Sequence, residues 1–193
     1  SIDAVSAWDT SIGSAAVVVA VLDTGVRFNH PDLAGKLLPG YDMVSDAAIS
    51  NDGDGRDSDA SDPGDWVSNA DTRSPTFAGC DISSSSWHGT QIAGIIGAAT
   101  NNEIGMAGAG WNVQVLPVRV LGKCFGYTSD IVTGIRWAAG VAVPGLPPNP
   151  NPARVINLSL GSSGACSTEE RNAIAEANAA GAVVVVAAGN SAG

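Results

Sequence analysis

Four short apolar runs dense in β-branched residues set the frame: Val17–Leu22 (VVVAVL), Val113–Leu121 (VQVLPVRVL), Val155–Leu160 (VINLSL) and Val183–Ala187 (VVVVA). Each has the length of a strand, and none shows a sustained polar face. Such runs are expected where a strand is covered on both sides, as in a parallel sheet between helices. The text between the runs supplies the helices. His88-Gly89-Thr90 opens a helical stretch (QIAGIIGAAT) whose Gly94 and Gly97 lower propensity but permit close packing. Thr128 or Ser129 can cap a helix running to about Ala139, with Ile131, Ile135 and Ala138 on one face. Ser167-Thr168-Glu169-Glu170 reads as a capping box that starts a helix to about Ala180, ended by Gly181. Strands alternating with helices in this way predict an α/β fold, doubly wound, with a mainly parallel sheet and helices on both faces.

The rest of the chain is irregular. From Gly35 to Ser86 Asp, Ser, Gly and Pro dominate and leave room only for short strands; Val143–Pro152 (VPGLPPNPNP) is a Pro-rich loop. Gly is 24 of 193 residues, well above the usual ~7%, which implies tight turns and close backbone approaches. No internal repeat and no linker divides the chain, so residues 1–193 read as one unit. The net charge of −10 argues against nucleic acid, whose phosphates need a cationic face, and against an anionic membrane surface. No apolar run approaches the ~18 residues of a membrane span. The chain starts at Ser1 with neither an initiator Met nor a basic-then-apolar leader, which reads as a processed polypeptide.

In doubly wound sheets, ligand sites lie beyond the carboxyl ends of the strands. Asp23 follows the first strand in a Thr-Gly turn; a carboxylate there can orient an imidazole and stabilise its cation, or simply cap its own turn. His88 stands at the start of a helix. The other histidine, His30 in Asn29-His30-Pro31-Asp32, reads as structural. Ala187-Ala188-Gly189-Asn190 ends the last strand in an amide able to donate to a forming oxyanion, or to sit in a left-handed turn.

Taken in order, VAVLDTGV at 19–26, HGTQIAG at 88–94, NLSLG at 157–161 and AAGN at 187–190 resemble the subtilisin-like serine proteases (subtilases). The resemblance runs from Trp8 to Asn190. It implies Asp23 as the triad acid, His88 as general base and Asn190 as oxyanion-hole donor. It further implies that Ser159-Leu160-Gly161 pairs with the substrate backbone and walls the P1 pocket. Ala187-Ala188-Gly189 would form the other wall, and Gly126 and Tyr127 the opposite edge strand. A peptide or protein substrate would then lie between two strands, bound largely through its backbone. The family's nucleophile belongs to a Gly-Thr-Ser-Met-Ala type motif well past AAGN. No Gly-Thr-Ser occurs here, and serines such as Ser162 or Ser191 fit no part of the pattern. Losing the nucleophile from such a triad costs on the order of 10⁶ in turnover. The expectation is therefore the N-terminal portion of a catalytic domain, truncated on its C-terminal side, inert alone and leaving a sheet edge for the missing segment. The competing reading is a non-catalytic, calcium-binding module of the same fold that binds peptides.

Residues 51–65 (NDGDGRDSDASDPGD) carry six Asp and one Arg, a charge of −5. Asp52, Asp54, Asp57, Asp59, Asp62 and Asp65 place oxygens every two or three residues, which suits Ca²⁺ before Mg²⁺; the alternative is a solvated acidic loop. The segment Asp62–Trp66 resembles the acidic insertion of a secreted bacterial branch of the family. His30-Pro31-Asp32-Leu33 and Asn101-Asn102-Glu103-Ile104-Gly105 resemble two parts of the family's common calcium loop, with Asp32 and Asn102 as ligands. Of three cysteines, Cys80 and Cys124 fall in loops flanking the implied catalytic region and are expected to pair, leaving Cys166. A disulfide fits a secreted enzyme. No His-containing cysteine-protease motif accompanies any of the three.

Overall fold

The computed structural model describes residues 2–162 and 164–190. Five parallel strands form one sheet: β1 (Val18–Asp23), β2 (Tyr41–Asp42), β3 (Gln114–Arg119), β4 (Val155–Leu158) and β5 (Val183–Val186), in the order β2-β3-β1-β4-β5. β1 sits in the middle and pairs with β3 over its full length, Val18 opposite Gln114 through Asp23 opposite Arg119. The five helices are α1 (Ala4–Trp8), α2 (Ala47–Ser50), α3 (His88–Gly97), α4 (Thr128–Ala138) and α5 (Thr168–Ala179).

The strand pleat explains why the apolar runs are unbroken. Ala20, Leu22, Leu116 and Val118 enter the larger core with residues of α4 and α5, such as Ile135, Trp137, Ala173 and Ala177. Their neighbours Val21 and Val115 enter a second core with Ala93 of α3 and Leu33. Alternate side chains thus serve opposite layers, and helices cover both faces. Pro117 survives inside β3 because of what faces it. Val115 exchanges hydrogen bonds with Lys36 and Leu38 on the β2 side. Two residues on, Pro117 has no N–H to offer, and Gly40 packs there instead; a Cβ on Gly40 would come 2.0 Å from the Pro117 carbonyl oxygen.

Several element ends differ from the sequence expectation. α3 stops at Gly97, short of Thr100, because Ala98 turns extended. β3 and β4 end at Arg119 and Leu158, short of Leu121 and Leu160, and β5 ends at Val186. α4 is not capped by Thr128 or Ser129: Tyr127 is its N-cap, with no side-chain cap bond, and Asp130 supplies negative charge to the first turn. The α5 capping box forms as expected, with Ser167 Oγ accepting from Glu170 N and Glu170 Oε2 from Ser167 N. Among the described residues no helix is long and apolar enough to cross a membrane.

The irregular stretch from 43 to 86 is fastened at several points. Asp42 pairs with Asp57, Val26 with Ser61 and Val67 with Ser83 through isolated bridges. Arg56 Nη2 meets the fully buried Asp130 at 2.5 Å. Lys123 reaches Asp71 at 2.9 Å and lies 5.3 Å from the Trp66 ring centre and 5.7 Å from that of Phe77. Cys80 and Cys124 are joined in a disulfide across 44 residues, while Cys166 is exposed and free.

Two outcomes follow from these fastenings. A loop of this length corresponds to a disulfide contribution of about 4 kcal/mol in the chain-entropy account. Cys80→Ser with Cys124→Ser should lower the unfolding free energy by that order in a denaturant titration; an unchanged midpoint would contradict the tether. Asp71 is held down to about 2 from an ordinary 3.8 by the Ser68 hydroxyl and amide, then by Lys123. A depressed carboxyl contributes stability above its unfolded pKa and loses it as pH falls through the folded one. Amide protection in residues 66–77 should therefore drop between pH 4 and pH 2, and Asp71→Asn should remove that acid-dependent step.

Candidate active site

The carboxyl end of β1 places Asp23 in the centre of the sheet, fully buried. Its Oδ1 accepts the Thr24 amide at 2.8 Å. His88, the first residue of α3, brings Nδ1 to 2.8 Å from Asp23 Oδ1 and 2.9 Å from Oδ2. An anionic carboxylate against Nδ1 makes that nitrogen the N–H donor and leaves Nε2 with its lone pair. The imidazole side chain is 40% exposed while the carboxylate is 0%, so the ring joins a buried charge to the surface. Burial raises the Asp23 pKa above its usual value, with the His88 hydrogen bond and the Thr24 amide pulling the other way.

The pair depends on a close approach of backbones. A Cβ on Gly89 would lie 2.1 Å from the Gly25 carbonyl oxygen and 3.1 Å from Asp23 Cβ. The turn Asp23-Thr24-Gly25 and the start of α3 touch only because residue 89 has no side chain. Thr24 crosses the gap, its Oγ1 accepting Gly89 N at 3.1 Å.

A cavity of about 950 Å³ opens at Thr24, the residue after Asp23; Asp23 and His88 themselves do not line it. Thr24, Leu121, Gly126, Ser159-Leu160-Gly161, Ala187 and Asn190 line it. The structure thus brings most of the expected substrate-binding positions to one cleft with Asn190. Tyr127, Ala188 and Gly189 do not line it; Tyr127 gives its carbonyl to Asp130 N and Ile131 N at the start of α4. Residues 126–127 and 159–161 belong to none of the described strands. Ser162 lines the cleft, and Ser191 lies outside the described residues.

The acidic segment does not gather. Asp52 is bound by Arg119. Asp57 and Asp59 accept amides two residues ahead, Asp59 N and Ser61 N. Asp54 accepts the Ser50 hydroxyl through its main-chain oxygen. Asp62 takes Thr24 Oγ1 and Gly64 N, and Asp65 takes both donors of Ser86. Among the described residues no group of three or more His, Cys, Asp or Glu side chains is assembled that could hold a metal. The six carboxylates therefore do not fit a single cage of six to eight oxygens. Asp32 and Asn102 do meet, at 2.9 Å, but through the Asn102 amide nitrogen, and the other Asp32 oxygen accepts Met106 N. Both oxygens expected to face a cation already face N–H groups. His30 is structural, its Nδ1 accepting Asp32 N.

Three participants were not foreseen from the sequence. Arg119, 1% exposed, donates to Asp42, Asp52 and the Ser50 carbonyl; a lone Arg inside an apolar strand was the available signal. Thr24 and Ser86 as hydroxyl bridges had none.

Residues 14–193 match the family model described as the subtilase family. The chain belongs to the subtilase family. It is 53% identical over 186 residues to an extracellular protease of Xanthomonas campestris, covering 96% of this chain and 31% of that protein. It is 46% identical to an extracellular basic protease of Dichelobacter nodosus, covering 95% and 30%. A solved structure of a protease from Pseudoalteromonas arctica superposes with a TM-score of 0.86 at 56% identity, covering 95% of this chain and 52% of that one. The chain thus spans 30–31% of the length of the two extracellular proteases and 52% of the solved chain. Within the subtilase fold, the Gly89 contact yields a direct outcome: Gly89→Ala should push α3 from the β1 turn and carry His88 Nδ1 out of hydrogen-bond reach of Asp23 in a crystal structure. An unaltered pair would contradict the packing argument.

Proposed function

We propose that this chain supplies the acid, the base and the oxyanion donor of a serine endopeptidase, with the nucleophilic serine on residues outside these 193. The observation that carries the reading is the buried Asp23 bonded to Nδ1 of a half-exposed His88, with the next residue, Thr24, and Asn190 lining one cleft. His88 Nε2 takes the proton of the serine hydroxyl as its oxygen attacks the peptide carbonyl carbon. Asp23 holds the ring in the tautomer that can do so and stabilises the imidazolium. The Asn190 side-chain amide donates to the oxyanion of the tetrahedral intermediate. The intermediate collapses with cleavage of the C–N bond, and His88 returns its proton to the leaving amine. Water then repeats the sequence on the acyl-enzyme.

The substrate is a peptide or protein held along segments 126–127 and 159–161, which belong to no strand of the sheet and suit strand addition. The rest of the enzyme covers the β5 edge, where Val183, Val185 and Val186 are exposed. Secretion is supported by the disulfide and by relatives named as extracellular proteases. Calcium is a separate proposal, for stability and with no part in the chemistry. Its support is the −5 charge of residues 51–65. Chelation should then lower Tm by a few degrees; an unchanged Tm leaves a solvated acidic loop.

Peptide hydrolysis by the complete native polypeptide tests the reading. Asp23→Asn should lower kcat by about 10⁴, and Asn190→Ala by about 10²–10³ with little change in KM. A folded, complete protein that binds peptides but hydrolyses none would make it a binding module.

A further inference from the structure

The helix that carries His88 begins without a cap of its own. Its N-cap, Trp87, has φ 52° and makes no side-chain cap bond. A bulky residue in the left-handed region is strained, and the first amides of a helix need acceptors. Acceptors for the first two amides come from two relays of the same construction. In one, Asp62 Oδ2 accepts Thr24 Oγ1–H at 2.7 Å and Thr24 Oγ1 accepts Gly89 N–H at 3.1 Å. In the other, Asp65 Oδ2 accepts Ser86 Oγ–H at 2.8 Å and Ser86 Oγ accepts His88 N–H at 3.2 Å. Asp65 Oδ1 also takes Ser86 N at 2.6 Å.

The polarity of each relay is set by its carboxylate. A hydroxyl has one proton and can turn it either way. An acceptor-only partner draws that proton and leaves the lone pairs for the helix amide. Both carboxylates come from one short turn, Asp62-Pro63-Gly64-Asp65. Gly64 has φ +100°, and a Cβ there would meet Ser85 Oγ at 2.6 Å. Gly64 N closes the turn on Asp62 Oδ1 at 2.8 Å. Asp62 is pinned to the β1 turn by its amide on Val26 O at 2.9 Å, and is 5% exposed.

We infer that Asp62 and Asp65 are positioning residues for His88, acting through the hydroxyls of Thr24 and Ser86 to fix the first turn of α3 against Asp23. The last two acidic residues of the segment thus serve the imidazole. An Asn at 62 presents one N–H where an acceptor is required, so either Thr24 or Gly64 N faces a donor. An Asn at 65 does the same to one of the two Ser86 donors.

The kinetic arm of the test rests on the endopeptidase reading; the spectroscopic arm does not. In the complete native polypeptide, Asp62→Asn, Asp65→Asn and Thr24→Val should each lower kcat about 10- to 100-fold through misplacement of the base, with KM within about 3-fold. Thr24→Ser, which keeps the hydroxyl, should recover most of kcat. In ¹⁵N-resolved NMR the same three variants should show His88 Nδ1–H exchanging with water about tenfold faster, and Thr24→Ser should not. Ser86→Ala, at an exposed position, reads the second relay should an Asn variant fail to fold. Lowered Tm with unchanged kcat and unchanged proton exchange would overturn the inference and leave the relays merely structural. A wild-type protein that hydrolyses no peptide would defeat the endopeptidase reading alone, and the proton exchange would then decide.

Discussion

A carboxylate with no exposed surface, at the end of the central strand, is the constraint on which the site rests. Burying Asp23 opposes its ionisation, and a buried charge is tolerated only when paired and hydrogen-bonded. The protein meets this with a main-chain amide from the next residue and an imidazole nitrogen from a helix that starts 65 residues later. Everything nearby serves that meeting. The sheet brings β1 to the centre, the Thr-Gly turn points the carboxylate out of the strand end, and residue 89 lacks the side chain that would hold the helix away.

The pairing of His88 with Asp23 has consequences on both sides of the ring. Nδ1 is occupied, so chemistry is left to Nε2. The ring is 40% exposed. Asn190 lines the cleft that Thr24 also lines, at the end of the strand order's other branch, reached through β4 and β5. Asp23 ends β1 and Asn190 follows β5, at the carboxyl ends of the strands where doubly wound sheets place ligand sites.

The strands were legible because both faces are covered. Val19–Leu22 and Val115–Val118 carry no polar position, and their neighbours divide between the two helix layers. The α5 capping box was legible because its signal is local, Ser167 and Glu170 bonding each other. The short motifs, each too common alone and specific only in order, pointed to Asp23 and His88, which the structure brings into contact, and to Asn190, which it places in the cleft lining. What sequence did not convey was partner choice over long separations. Six aspartates in a row of turns read as a cation site, yet Asp52 turns to Arg119, Asp62 to Thr24 and Asp65 to Ser86. Nothing local distinguishes a carboxylate that waits for a metal from one that orients a hydroxyl. The cap of α4 was misread for a related reason: Thr128 and Ser129 are good caps by type, but Tyr127 enters the helix extended and Asp130 charges its first turn.

The most direct measurement is a crystal structure of the complete polypeptide after reaction with a peptide phosphonate. The account predicts phosphorus bonded to a serine oxygen that lies outside these 193 residues. His88 Nδ1 should remain on Asp23, Nε2 should face that serine, and the Asn190 amide should donate to the phosphoryl oxygen. A phosphonate attached elsewhere, or an Asn190 side chain turned away from the phosphoryl group with His88 detached from Asp23, would contradict it.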